Sequence, residues 1–69
     1  MVEFRDCTGR LAATGDVITG LVENRYKGQK TKALLRIGES LSIERENVIT
    51  IITRISATAF NVESRLLAA

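Results

Sequence analysis

Basic side chains are concentrated in one segment of this 69-residue chain. Residues 24–38 contain five lysines and arginines and no acid, whereas the whole chain has a formal charge of only +2, so the other residues together carry −3. Ammonium and guanidinium groups neutralise phosphates, and an aromatic ring offers a face on which a nucleobase can stack. The segment therefore predicts a nucleic-acid-binding hairpin, with the candidate residues Arg25, Tyr26, Lys27, Lys30, Lys32 and Arg36.

The same charges have a second interpretation. Lysines at the tip and edge of a hairpin keep a strand solvated and discourage it from pairing with another sheet. The basic segment would then serve solubility alone. The charge pattern by itself favours neither interpretation.

The residue types that catalysis needs are scarce. The chain has no histidine and a single cysteine, Cys7, so no imidazole can activate a serine or thiol, and neither a disulfide nor a standard zinc site can form. Gly15 and Gly20 are not a nucleotide-binding fingerprint, because no strand-to-helix crossover follows them. We therefore expect a protein that is not an enzyme and that holds no cofactor or metal.

The elements that must position the basic side chains are strands. Residues 48–55 are dominated by β-branched side chains, which suit a pleated strand. Alternation gives a nearly apolar face and a mixed face, made respectively of Ile49, Ile51, Thr53 and Ile55 and of Val48, Thr50, Ile52 and Arg54. Such a strand needs cover on both sides, and in so short a chain we expect part of it from another copy of the protein.

Short alternating segments continue along the rest of the chain. The other predicted strands are residues 2–5, 11–13, 17–25, 31–37, 40–43 and 58–62. We expect Gly15 to supply an unusual backbone angle in a turn, and Gly20 to mark a bend or a close backbone approach inside a strand. The pattern predicts one all-β domain over residues 1–69, a small, strongly bent antiparallel β-barrel of Sm-like or SH3-like type with about five to six short strands.

Two short segments carry a family resemblance. Residues 15–21 (GDVITGL) resemble the first Sm motif, in which a turn glycine is followed five residues later by a strand glycine and then an aliphatic residue. Residues 43–48 (IERENV) are similar to the second Sm motif, although Glu44 and Arg45 stand where that family has a basic residue and a glycine. The resemblance implies a bent five-stranded barrel that assembles edge to edge into an RNA-binding ring. It would place Asn47 and Arg45 near the RNA-facing loop.

A second, fainter likeness lies between these two segments. Residues 35–41 (LRIGESL) resemble the opening strand of CsrA-type RNA-binding dimers. This likeness again implies binding to RNA by an oligomer.

The main hypothesis is a homo-oligomer that binds RNA or single-stranded DNA through the basic hairpin. One alternative is a protein-interaction or assembly module whose exposed strand edge adds to the sheet of a partner. Another is a swapped-hairpin dimer that binds duplex DNA, suggested by the local positive charge and by the echo of residues 16–19 (DVIT) in residues 47–50 (NVIT).

Two features predict the location of the protein. The N-terminal residues include Glu3 and Asp6 and lack an apolar core, so we expect neither a signal peptide nor a membrane segment. A single cysteine suits a reducing compartment. We therefore expect a cytoplasmic protein without a membrane partner.

Overall fold

Seven strands make up the regular structure of the part of the chain that is described. The computed structural model describes residues 1–26 and 28–67, apart from the side chains of Tyr26 and Gln29. The strands are β1 (Val2–Arg5), β2 (Leu11–Gly15), β3 (Leu21–Tyr26), β4 (Gln29–Leu34), β5 (Ser40–Arg45), β6 (Val48–Ser56) and β7 (Ala59–Leu66).

The strands pair as two antiparallel meanders. Sheet 1 has the order β1-β2-β3-β4, and sheet 2 has the order β5-β6-β7. The all-β antiparallel class is thereby confirmed, and each of the seven segments predicted as strands contributes to one, whereas the barrel was expected to have about five to six. The ladders between described residues form two separate sheets and do not join one sheet to the other. Closure into a barrel therefore stays a prediction.

The core lies between the two sheets. Sheet 1 and the segment after it contribute Phe4, Ala13, Val22 and Leu35, and sheet 2 contributes Ile43 and Ile52. The rings of Phe4 and Phe60 meet edge to face with their centroids 5.2 Å apart, a geometry that adds to simple area burial. Because Val22 and Ile52 are fully buried, each contributes roughly 1.5–3 kcal/mol through removal of apolar surface from water.

Gly20 lies in the connection between β2 and β3, where its carbonyl accepts the Leu35 amide at 2.9 Å. The strand predicted over residues 17–25 begins only at Leu21, because residues 17–19 form a turn in which the Gly20 amide donates to the Asp16 carbonyl at 2.8 Å. Gly20 has a φ of 81°, and a Cβ atom there would lie 2.3 Å from the Leu35 carbonyl oxygen. The expected close backbone approach at Gly20 is confirmed, although it occurs in a turn and not inside a strand.

Gly15 has the opposite role from the one expected. It lies in β2 and not in a turn, and its φ is not positive. A Cβ atom at this position would come within 2.6 Å of the Phe4 ring. Glycine is needed here to make room for an aromatic core residue, so the expectation of a special backbone angle was wrong.

The Arg54 guanidinium binds backbone carbonyls of three turns, at residues 17–19, 35–39 and 57–58. Its Nη1 donates to the Leu35 carbonyl at 3.0 Å, and its Nη2 lies 3.3–3.4 Å from the carbonyls of Val17, Ile18 and Ala57. Hydrogen bonds from a charged donor are among the stronger ones in proteins. Arg54, which the sequence alone places on the mixed face of β6, therefore joins this strand to three turns.

Only one face of β6 is covered within the described chain. The mixed face points inward, with Val48, Thr50 and Ile52 buried, and the Thr50 hydroxyl lies 3.2 Å from that of Ser64. The more apolar face points outward, and its Ile55 remains 56% exposed. The structure thus confirms apolar side chains on both faces of β6. The face that is buried in the core is the less apolar of the two.

Candidate nucleic-acid interface

The β3–β4 hairpin brings three of the predicted basic residues onto one surface. Arg25 pairs with Lys30 and Glu23 pairs with Lys32 across the ladder. Side chains alternate along a strand, so these four residues share a face, and Val22, which is fully buried, belongs to the opposite one. Arg25, Lys30 and Lys32 are therefore exposed together on the outer face of sheet 1, which we call the basic face.

Glu23 lies between the two lysines. Its carboxylate oxygens are 3.5 Å from the Lys30 Nζ and 3.6 Å from the Lys32 Nζ. The lysine side chains are 41% and 54% exposed, so each ion pair is screened by water and contributes at most about 1 kcal/mol. The lysines are held in place without being neutralised, since one acid faces three cations.

A shallow groove runs beside the basic face. It has a volume of about 370 Å³ and lies between Glu23 and Arg25 on β3 and the residues of β2. Its remaining lining is mostly apolar and consists of Met1, Leu11, Ala12, Ala13 and Thr14. Small-molecule sites span roughly 300–1,000 Å³, so a groove of this size can receive a planar ring with charged groups at its edge.

Arg36 does not belong to the basic face. It lies in the connection between β4 and β5, at the far end of β4 from the Arg25–Lys30 pair. Its backbone amide donates to the Glu39 carboxylate at 2.7 Å, which fixes the turn. The Arg36 side chain is exposed, but it does not lie with the lysines, although it is close to them in sequence.

Tyr26 and Lys27 were also predicted site residues. The Tyr26 side chain and the whole of Lys27 lie outside the described residues. Their assignment to the site stays a prediction.

Arg45 anchors sheet 2 on sheet 1. It is half-buried, and its Nη2 donates to the Leu11 carbonyl of β2 at 3.0 Å. Leu11 also lines the groove, so Arg45 supports a residue of the groove wall. Its observed bond is structural, and the proposed contact with RNA stays a prediction.

Asn47 occupies a tight turn. Arg45 pairs with Val48, and the two residues between them, Glu46 and Asn47, have φ values of 52° and 64°. Positive φ at both positions is the conformation of a two-residue hairpin turn, in which asparagine is well tolerated. The positive φ is therefore a structural reason for asparagine at this position, and the backbone carbonyl of Asn47 also accepts the Leu67 amide at 2.7 Å.

A second ordered turn lies at this end of the molecule. The Asp6 carboxylate accepts from the hydroxyl of Thr8 and from the amides of Thr8 and Arg10. The Thr8 hydroxyl is the main cause that lowers the pKa of Asp6, and these amides and the nearby charge of Arg45 lower it further. The Arg10 guanidinium pairs with the Glu46 carboxylate, so this loop is tied to the β5–β6 turn.

Two features of the interface were missed by sequence reasoning. Glu23 lies just outside the acid-free segment, yet it contacts two of the lysines. The groove is built largely from β2, a segment with no charge of its own. The pairing of residues 23 and 32 across a hairpin centred on Gly28 is the signal that could have revealed Glu23.

The described residues offer few features of other functional classes. They contain no group of three or more metal-ligating side chains of the kind that could hold an ion. No helix among them is long and apolar enough to cross a bilayer. Comparison with protein families, curated proteins and solved structures finds no match to this chain.

Proposed function

We propose that this protein binds single-stranded nucleic acid, either RNA or DNA, on the basic face of sheet 1. The observation that carries the proposal is the register of the β3–β4 hairpin, which gathers Arg25, Lys30 and Lys32 on one exposed surface beside the groove. The basic side chains would contact phosphates, and the apolar floor of the groove would support a base. Single-strand binders combine these two contacts.

Single strands fit this surface better than a duplex. The groove offers a base an apolar floor of β2 residues, which only an unpaired base can reach. The duplex alternative depended on the charge and on the echo between residues 16–19 and 47–50. Residues 16–19 lead into and form a turn, whereas Val48 to Thr50 begin β6, so the echo does not mark a repeated unit.

Binding should depend on salt and on the basic face. We expect a fluorescein-labelled oligonucleotide of about 15 nucleotides to bind at low salt and to be released as salt rises, because phosphate contacts displace counterions. The combined change Arg25→Ala, Lys30→Ala and Lys32→Ala should weaken binding by at least about tenfold. It should also reduce the salt slope by roughly 2, at about 0.7 for each phosphate that is no longer neutralised. Fluorescence anisotropy at two or more salt concentrations measures both quantities.

Arg36→Ala provides the matched control. It removes one exposed cation of the same sequence segment that lies away from the basic face. We expect it to reduce affinity far less than Arg25→Ala does. Equal losses for the two single variants would contradict a localised site, and an unchanged affinity of the triple variant would reject the proposal.

The Sm-like barrel belongs to the proposal as an architectural prediction. It is supported by the approach of sheet 1 to sheet 2 after β1, where the Cys7 amide donates to the Ser64 hydroxyl at 2.8 Å. The two glycines of the first Sm-like motif have settings opposite to those in the Sm family, because Gly15 lies in a strand and Gly20 lies in a turn. Detection of nuclear Overhauser contacts between backbone protons of β1 and β7 would support closure, and their absence would reject it.

The non-enzymatic and cytoplasmic character predicted from the sequence completes the proposal. Its support remains compositional, since the chain has no histidine and one cysteine, Cys7. Cys7 is exposed in the structure, so a reducing environment would keep this thiol from oxidation.

A further inference from the structure

The outer face of sheet 2 carries an apolar stripe along β6. Ile49, Ile51 and Thr53 are half-buried by their neighbours, and Ile55 is 56% exposed. Polar and charged side chains border the stripe on both sides, Ser40, Ser42 and Glu44 from β5 and Asn61, Glu63 and Arg65 from β7. This arrangement, an apolar centre with a polar rim, is the anatomy of a protein interface.

The charges at the rim are arranged asymmetrically. The ladder pairs Glu44 with Ile49 on one side and Ile49 with Arg65 on the other. These three residues form one row across the sheet, with an acid at one edge and a base at the other. The two charges are roughly 10 Å apart, because neighbouring strands are about 4.8 Å apart.

We propose that a second copy of this chain covers the stripe, in a dimer whose two-fold axis runs along β6. Such an axis places β5 of one copy over β7 of the other and keeps residues at the same height together. Glu44 then faces Arg65 of the second copy, twice by symmetry, while the isoleucines pack against their equivalents. The row is therefore complementary to itself, and Glu63, one row along, faces Ser42 of the second copy.

The other two-fold arrangement lacks this complementarity. An axis across the strands would set β5 over β5 with reversed direction. Glu44 would then face the opposite end of β5, where Ser40 lies, and Arg65 would face the end of β7 near Asn61. Charge alone therefore selects the axis along β6.

The size of the face sets the expected strength. Three strands and about seven residues give a surface roughly 15 Å by 25 Å, so the dimer would bury on the order of 800 Å² in total. Stable complexes bury about 1,200–2,000 Å². We therefore expect dissociation in the range of roughly 10–100 µM, and a dimer that leaves the basic face of each copy open.

Analytical ultracentrifugation over that concentration range tests the dimer. Ile51→Thr retains a β-branched strand residue and should weaken dimerisation about tenfold or more, since it removes apolar contact from the centre of the stripe. Ile18→Thr is the control, because Ile18 is 82% exposed in a turn outside the stripe and should not change the equilibrium. Far-ultraviolet circular dichroism checks that both variants fold.

A charge swap tests the axis. Glu44→Arg and Arg65→Glu should each weaken the dimer severalfold, and the double variant should restore it because the exchanged charges again meet across the two-fold. A monomer at every concentration, an unaffected dimer in Ile51→Thr, or a double variant no better than the single ones would each overturn the proposal. Because oligonucleotide binding is measured separately, failure here is distinguishable from failure of the proposed function.

Discussion

The two sheets share a core but present very different outer faces. The outer face of sheet 1 carries Arg25, Lys30 and Lys32 around one acid, and the outer face of sheet 2 carries isoleucines in a row. The opposite faces of the same strands supply core residues, Val22 in sheet 1 and Ile52 in sheet 2. The difference shows that the core determines only every second residue of each strand, and that the remaining positions are available for function.

The comparison is sharpest within β6, where inner and outer isoleucines are neighbours. Ile52→Ala should lower the free energy of unfolding by about 2–5 kcal/mol, because Ile52 is fully buried and a cavity would remain. Ile51→Ala, on the outer face, should cost about 1 kcal/mol. Urea denaturation at protein concentrations too low for dimerisation measures both, and equal losses would contradict the assignment of the two faces.

Arg54 connects the two sheets, and its loss should affect both. Arg54→Met keeps the apolar stem but leaves the carbonyls of Leu35 and Ile18 without their donor. We expect a loss of about 1.5–3 kcal/mol in the free energy of unfolding, the range for hydrogen bonds to charged groups.

Arg36→Met serves as its control in the same denaturation experiment. Arg36 is exposed near the same end of the molecule, and its substitution should change stability by no more than about 0.5 kcal/mol. If the two variants were equally stable, the Arg54 hydrogen bonds would have no measurable structural role.

A smaller effect separates the two outer faces by charge. Glu23→Gln removes the carboxylate that lies between Lys30 and Lys32, so we expect oligonucleotide affinity to rise about two- to fivefold at low salt. The gain should shrink as salt screens the charges. Fluorescence anisotropy provides the measurement.

Glu63→Gln makes the same charge change on the outer face of sheet 2. We expect it to leave affinity nearly unchanged, because Glu63 lies on the opposite side of the core from the basic face. A comparable gain from both variants would mean that net charge, and not the basic face, governs binding.

The strands could largely be predicted from the sequence, because period-two alternation and turn residues are local signals. The alternation of residues 48–55 appears in the fold as predicted, and the hairpin around Gly28 forms with a returning strand at Gln29–Leu34 where residues 31–37 were predicted. The start of β3 could not be predicted. Residues 17–19 are β-branched and apolar, yet the Asp16 carboxylate accepts the Ile18 amide at 2.9 Å and holds them in a turn.

The candidate site was predictable only in part. The sequence predicted the basic segment but left Lys30 outside the strand at residues 31–37; Arg25, Lys30 and Lys32 share a face because β4 begins at Gln29 and pairs Arg25 with Lys30. Arg36 left the group because β4 ends at Leu34, and Glu23 joined it through pairing across the hairpin. Which face of β6 points inward depends on hydrogen bonds made by Arg54 and Thr50 with distant residues, which no local pattern contains.

The meander order of the strands has a consequence for how the chain folds. Every ladder between described residues joins strands that follow one another in sequence. Each hairpin can therefore close over a short loop, with little loss of chain entropy before its contacts form. Pairing between consecutive strands keeps the ladder contacts local, which favours rapid folding. Docking of the two finished meanders, with Arg54 joining the turns, is then the step that brings distant parts of the chain together.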